Sequence, residues 1–137
     1  MELKRNEDGE QMAVIEWAKI MEKSDRRLHN LYHVPNEGKR SRAEGGRLKR
    51  MGLRSGVPDL ILDYPAGAYH GLRIEMKVGS NRTTQEQKDC LRSLFDAGYF
   101  VAVCYSAAAA IELIVKYLNL PAGSRIEQSP GQVWGRK

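Results

Sequence analysis

The fold of this chain is decided by two short segments, Gly56-Val57-Pro58-Asp59-Leu60-Ile61-Leu62 and Ile74-Glu75-Met76-Lys77-Val78. Both are apolar and bounded by turn residues, which is typical of β-strands. The sequence Tyr64-Pro65-Ala66-Gly67 between them is rich in turn formers. The pattern therefore predicts two strands paired as a hairpin.

An acid and a lysine alternate along the second segment. In a strand, side chains i and i+2 share a face, so Glu75 and Lys77 project together while Ile74 and Met76 point the other way. If the strands pair, Asp59 lies beside Glu75. Two carboxylates and an ammonium on a buried sheet face cost free energy unless they are paired or bound to a cation. A divalent metal would remove that cost.

These residue types suit hydrolysis of a phosphodiester. The reaction needs a hard cation held by oxygen ligands and an activated water in line with the leaving oxygen. Asp59 and Glu75 would supply the carboxylates, and Lys77 would position or deprotonate the water and stabilise the transition state. The alternative is a surface hairpin that carries an ordinary Glu/Lys pair.

Length and composition favour one compact domain over residues 1–137, with a core at about 7–118 and a tail at 119–137. A chain of 137 residues can bury about two-thirds of its unfolded surface. Cys90 and Cys104 show no metal-binding spacing and are expected to be reduced thiols. The polar N-terminus and the lack of an apolar run of about 18 residues predict a cytoplasmic protein without membrane contact.

The net charge is +5, and the excess is concentrated just before Asp59. Residues 39–54 contain seven basic side chains against the single acid Glu44: Lys39, Arg40, Arg42, Arg47, Lys49, Arg50 and Arg54. We call these residues the basic cluster. A cluster in this place would steer a polyanion toward a metal site. The alternative is a solvated helix face.

The rest of the chain predicts an α/β domain with a mixed sheet flanked by helices. Expected elements are a helix at about 8–22, a strand at 28–34, a helix opened by Ser41 and closed by Gly52, a helix from Thr84 to Gly98, a buried central strand at 99–105, and a last helix, Ala107–Leu118, capped by Ser106.

Two helices offer further polar side chains to the site. The first helix has an apolar inner face: Val14, Trp17, Ala18 and Met21. Either Glu7 or Glu10 could lie at the edge of the site, or Glu7 could be an ordinary first-turn acid that favours the helix dipole. Gln87 lies on the stripe of Leu91 and could reach the site, bond back to Thr84, or do both.

Several ordered motifs resemble one known family. They are Pro35-Asn36-Glu37-Gly38, Arg47-Leu48-Lys49-Arg50-Met51-Gly52, Gly56-Val57-Pro58-Asp59-Leu60, Gly71-Leu72-Arg73-Ile74-Glu75-Met76-Lys77, Gln87, and Ala97-Gly98-Tyr99. Together they resemble the VRR-NUC family of the PD-(D/E)XK nuclease superfamily over residues 7–118. One departure is Glu37, where the family usually has a second glycine after Pro-Asn.

The resemblance implies a restriction-endonuclease-like core, Mg²⁺ or Mn²⁺ dependence and action on DNA. It implies a metal held by Asp59, Glu75 and the backbone carbonyl of Met76, with Lys77 and Gln87 catalytic. It also favours Glu7, which stands four residues before Gln11, as the active-site glutamate. Stand-alone members of this length look like phage or bacterial proteins that dimerise and act on branched DNA such as a four-way junction.

The sequence thus predicts a metal-dependent DNA endonuclease, selective for branched DNA and homodimeric because paired cuts in two strands need two active sites. Its rivals are a non-catalytic nucleic-acid-binding module of the same fold and a nuclease that acts on RNA.

Overall fold

The computed structural model describes residues 5–35 and 41–136. Within these ranges five strands form one sheet in chain order: β1 (Leu31–His33), β2 (Leu60–Leu62), β3 (Leu72–Met76), β4 (Phe100–Cys104) and β5 (Val133–Trp134). The α-helices are α1 (Glu7–Met21), α2 (Arg42–Arg50), α3 (Gln85–Asp96) and α4 (Ala107–Leu118). Strands β1 to β3 are antiparallel and β3 to β5 are parallel, so the predicted mixed sheet is confirmed.

The central hairpin is present as predicted. Strands β2 and β3 pair with Leu60 opposite Ile74, and Gly67 makes the turn between them with φ +56°. Continuing this register by one residue places Asp59 opposite Glu75. The prediction that these two carboxylates would share a sheet face therefore agrees with the strand pairing.

The helices cover the sheet in two layers. Helices α1 and α4 pack together on one face, where Ile74 and Met76 enter the larger core. Helix α3 covers part of the other face, where Leu91 packs against Val101 and Val103 of β4. Glu75 contacts α3 rather than the larger core. The alternation predicted for β3 is thus confirmed.

Helix capping explains why the predicted helices begin where they do. The side chains of Ser41, Thr84 and Ser106 accept hydrogen bonds from backbone N–H groups in the first turns of α2, α3 and α4. Gly52 and Gly98, the predicted helix stops, have φ of +111° and +99°. A side chain would strain the backbone at both positions.

The predicted strand at 28–34 is wrong in its first half. A 3₁₀ helix occupies Arg26–Asn30, and β1 begins only at Leu31. Asp25 caps this turn through Arg27 N at 3.2 Å and holds the Arg27 guanidinium at 2.8 and 2.7 Å. The hydrogen bond with Arg27 lowers the pKa of the Asp25 carboxyl. Local side-chain bonding of this kind outweighed the apolar pattern.

Two further expectations need correction. Met21 was expected on the inner face of α1, but it is 39% exposed. It ends the helix, and its carbonyl accepts the N–H groups of Ser24 and Asp25 as the chain turns away. The predicted order of elements also lacked β5, which lies in the predicted tail and pairs with β4 through Tyr105 N and the Trp134 carbonyl at 2.9 Å.

Among the helices of the described residues, none has the length and apolar character needed to cross a membrane.

Candidate active site

Asp59 lies directly before β2, and hydrogen bonds hold both its side chain and its backbone carbonyl. Its Oδ2 accepts a hydrogen bond from Met76 N at 2.8 Å. Its backbone carbonyl accepts one from Val34 N at 3.0 Å. The carboxylate is therefore fastened to the end of β3 rather than to its own strand.

Gly56 packs the segment before Asp59 against α3. Its φ is +84°, and a Cβ at this position would lie 2.8 Å from the backbone carbon and oxygen of Glu86. Ser55 Oγ also donates a hydrogen bond to the Glu86 carboxylate. Only glycine permits so close an approach of two backbones, so this contact sets the distance between Asp59 and the first turn of α3.

Glu75 and Lys77 are the charged residues buried most deeply at the carboxyl end of β3. Glu75 is 2% exposed and Lys77 is 6% exposed. The backbone N–H of Lys77 still bonds to the Cys104 carbonyl at 2.9 Å, so the sheet pairing with β4 continues one residue beyond β3. Because this pairing preserves the strand period, both side chains leave the same face of the sheet.

Gln87 serves two groups at once. Its Oε1 accepts a hydrogen bond from Thr84 N at 2.9 Å, which completes the capping box of α3. A backbone N–H can only donate, so this bond fixes which end of the amide faces the helix. The other end, Nε2, is thereby turned to Glu75 Oε1 at 3.3 Å. The two roles considered for Gln87 from the sequence coexist.

The two glutamates of α1 have different neighbours. Glu7 Oε2 accepts a hydrogen bond at 2.7 Å from Nδ2 of Asn81, which lies four residues after Lys77. Glu10 Oε1 instead accepts bonds from Arg5 Nη1 and Ala107 N, both at 3.2 Å, at the start of α4. Of the two, Glu7 is the glutamate that contacts the segment following the buried lysine.

The sequence matches the VRR-NUC domain over residues 5–108. This chain belongs to the VRR-NUC domain family. A solved structure described as a VRR_NUC domain protein is 36% identical, has a TM-score of 0.75 and matches over 88% of this chain and 94% of that one. No curated protein matches. Family and fold agree with the sequence prediction, and the domain is of a nuclease type.

The basic cluster of this VRR-NUC chain is helical over most of its length. Its described members lie in or just after α2, which has no buried residue, and all are exposed: Arg42, Arg47, Lys49, Arg50 and Arg54. Arg40 and Lys39 fall outside the described residues, as do residues 36–38 of the Pro-Asn motif. A cavity of about 590 Å³, lined by Lys49 and Arg54, runs along α3 past Glu86 and Cys90.

Sequence reasoning missed Cys90 and Asn81 as neighbours of the predicted site residues. Burial raises the pKa of the Cys90 thiol, the charge of Glu75 raises it further, and the charge of Arg54 lowers it. Cys90 therefore lies within electrostatic reach of both a predicted metal ligand and the basic cluster. Its position on α3, three residues after Gln87, was the available signal. No local signal marked Asn81.

Replacing Gln87 with glutamate tests the contact with Glu75. Glutamate also completes a capping box, so α3 should still form. The second carboxylate next to Glu75 raises the pKa of the introduced carboxyl. Stability is then full at low pH and is lost as the pH rises through that pKa. We expect the melting temperature of metal-free Gln87→Glu, relative to that of wild type, to decrease as the pH is raised from about 4 to about 8.

The matched control is Gln85→Glu, which adds the same charge to the same helical turn at an exposed position. Gln85 Nε2 donates to Asp89 Oδ1 at 2.9 Å, so this variant also places one carboxylate next to another, but in solvent. Its melting temperature relative to wild type should depend on pH much less than that of Gln87→Glu, because solvent screens exposed charges. Equal pH dependence in both variants would mean that Gln87 does not contact Glu75 in solution.

Proposed function

We propose that this protein is a metal-dependent endonuclease that hydrolyses phosphodiester bonds of DNA, with Asp59, Glu75 and Lys77 at its centre. The observation that carries the proposal is the burial of Glu75 and Lys77 on one sheet face, with Asp59 fastened to the end of the same strand. A buried carboxylate and a buried ammonium at a strand end, outside the apolar core, serve chemistry better than stability.

The residues present fit a hard divalent cation. Asp59 and Glu75, opposite each other in the extended register, offer carboxylate oxygens, and the backbone carbonyl of Met76 lies between Glu75 and Lys77. No group of three or more His, Cys, Asp or Glu side chains able to hold a metal occurs in residues 5–35 and 41–136. Two carboxylates and one backbone carbonyl suit Mg²⁺ or Mn²⁺, since Mg²⁺ typically takes one or two carboxylates and completes its shell with water and substrate phosphate.

Each side chain has a separate task in the proposed reaction. A bound cation would neutralise charge on the scissile phosphate and lower the pKa of water. Lys77 orients or deprotonates the attacking water and stabilises the charge of the transition state. Gln87 fixes the Glu75 carboxylate through its amide N–H. Glu7, which accepts a hydrogen bond from Asn81 in the turn after Lys77, would orient ordered water at the edge of the site. The products would carry a 5′-phosphate and a 3′-hydroxyl.

The basic cluster would hold DNA beside this centre. Lys49 and Arg54 line a cavity that Cys90 of α3 also lines. Burial raises the pKa of the Cys90 thiol, and the charge of Glu75 raises it further. Exposed arginines and lysines on a helix without apolar burial are suited to phosphate contacts, which position a duplex without reading its sequence.

Selectivity for branched DNA and a homodimer complete the proposal. One domain of this size offers one centre, so paired cuts in two strands need two copies, most simply related by a two-fold axis. Cleavage of a four-way junction, a fork, a plain duplex and the matching RNA duplex, with the mass in solution, tests these points. Faster cleavage of RNA, or equal rates on junction and duplex, would contradict them.

The carboxylates are tested with Asp59→Asn and Glu75→Gln. Both keep an oxygen that can accept the bond from Met76 N or Gln87, so the fold should survive. We expect the cleavage rate at saturating Mg²⁺ to fall about a hundredfold or more, because metal stabilisation of the transition state is worth several kcal/mol. DNA binding should stay equal or tighten. The control is Asp63→Asn at the opposite end of β2, and wild-type turnover in either test variant would disprove the assignment.

Lys77→Met separates the lysine from the metal ligands. Methionine keeps the length of the buried side chain but has no charge, so cleavage should be lost while Mn²⁺ still binds. Calorimetric titration with Mn²⁺ alongside a cleavage assay measures both, with the exposed Lys88→Met as control. Parallel loss of cleavage and Mn²⁺ binding would instead show that Lys77 mainly holds the carboxylates in place.

Neutralising Arg47, Lys49 and Arg50 together tests the basic cluster. Binding to every DNA sequence should weaken, and the slope of log K against log salt should flatten by about 0.9 per lost duplex contact. Catalysis at saturating DNA should change little. The matched control neutralises Lys19, Lys23 and Arg26, which are exposed and carry the same charge. Equal slopes in the two triple variants would make the cluster a solvated helix face.

A further inference from the structure

Asn81 connects helix α1 with the turn that follows Lys77, two segments that are far apart in the sequence. Its Nδ2 donates a hydrogen bond of 2.7 Å to Oε2 of Glu7, which is 74 positions away. A carboxylate oxygen can only accept, so the amide nitrogen must be the atom that faces Glu7. Hydrogen bonds to a charged acceptor are shorter and stronger than neutral ones, and this length fits that class.

The backbone of Asn81 is itself held in place. Its N–H donates to the Val78 carbonyl at 3.1 Å, which closes the turn after Lys77. Its carbonyl accepts a hydrogen bond of 2.5 Å from the hydroxyl of Tyr105, which is 4% exposed and packs in the smaller core beneath α3. The amide that reaches Glu7 is thus carried by a turn anchored to the end of β4.

Tyr105 is oriented by Arg136, which follows strand β5. Arg136 Nη1 donates to the Tyr105 hydroxyl at 3.1 Å, and its guanidinium lies 4.7 Å from the centre of the Tyr105 ring. A guanidinium can only donate, so the hydroxyl accepts a hydrogen bond from Arg136 and donates one to the Asn81 carbonyl. The result is a continuous series of hydrogen bonds: Arg136 to Tyr105, Tyr105 to Asn81, and Asn81 to Glu7.

Helix α1 does not need Asn81 in order to begin. Asn6 is already its N-cap, and the Asn6 side chain accepts a bond from Gly9 N at 2.7 Å. The acids of the first turn would favour the helix dipole without any partner. The contact between Asn81 and Glu7 therefore fixes the direction of the Glu7 carboxylate rather than the start of the helix.

We propose that Asn81 is a positioning residue that holds the Glu7 carboxylate against the turn following Lys77, so that Glu7 faces the metal centre. The inference rests on the proposed function. Asn81 acts through Glu7, and partners of this kind around a metal site change metal affinity or activity by roughly 10- to 100-fold. Tyr105 supports the same arrangement from behind.

A double-mutant cycle isolates this role. We expect Asn81→Ala to lower kcat on a DNA junction roughly tenfold and to weaken Mn²⁺ binding without DNA by a similar factor, with KM unchanged. In the Glu7→Ala background, Asn81→Ala should lower neither quantity further, because a residue that acts only through Glu7 has nothing left to position.

Two more variants separate positioning from general stability. Asn81→Asp keeps the size but loses the donor, so its kcat deficit should shrink as the pH falls and a shared proton restores the hydrogen bond to Glu7. The control is Asn30→Ala, since Asn30 Nδ2 makes a comparable long-range bond of 2.6 Å to the Asp63 carbonyl at the opposite end of β2. Its kcat and Mn²⁺ affinity should match wild type.

The outcomes are distinguishable. The role of Asn81 would be overturned if Asn81→Ala or Glu7→Ala kept full kcat and Mn²⁺ affinity, or if Asn81→Ala caused equal losses in both backgrounds. In either case the proposed nuclease would still stand if Glu75→Gln is inactive. Absence of any cleavage by wild type with Mg²⁺ or Mn²⁺ would overturn the proposed function itself. The cycle of Mn²⁺ affinities would then decide alone whether Asn81 acts through Glu7.

Discussion

The carboxylate of Glu75 is buried on the sheet face that α3 covers, and the residues around it must compensate for its lost hydration. Removing a charge from water costs several kcal/mol unless hydrogen bonds and opposite charge replace the lost hydration. Gln87 directs an amide N–H at this carboxylate, and Lys77 leaves the same strand face two residues later. The arrangement keeps a charged oxygen in a poorly hydrated place, where its interaction with a cation is strongest.

Such a site depends on register. Ile74 and Met76 fill the larger core, while Glu75 and Lys77 leave the opposite face of the same strand. A slip of one residue in the pairing of β2 with β3 would bury both charges against α1 and α4 and expose the apolar pair. The bond from Met76 N to Asp59 and the approach of Gly56 to α3 fix the register at the end where it matters. Folding and the proposed chemistry therefore depend on the same strand register.

Local pattern and known motifs predicted the elements that carry the charges. Alternation predicted the hairpin, cap residues predicted the starts of α2, α3 and α4, and α4 has the expected bounds, Ala107–Leu118. The 3₁₀ helix at Arg26–Asn30 was missed because the Asp25–Arg27 bonding that stabilises it is local and polar. Strand β5 has two residues, too few to show a period. The link between Asn81 and Glu7 joins residues 74 positions apart, and only the folded topology brings them together.

The topology also explains why the supporting contacts gather where they do. Strands β3, β4 and β5 are parallel, so their carboxyl ends meet at one edge of the sheet. The chain leaves that edge with Lys77 after β3, Tyr105 after β4 and Arg136 shortly after β5. Arg136 holds Tyr105, and Tyr105 holds the turn that follows Lys77. The segment directly after β5, the strand missed from the sequence, therefore supports the segment next to the buried lysine. A two-residue strand at the sheet edge thus supports the proposed site, whose charged residues lie on β3, directly after it and directly before β2.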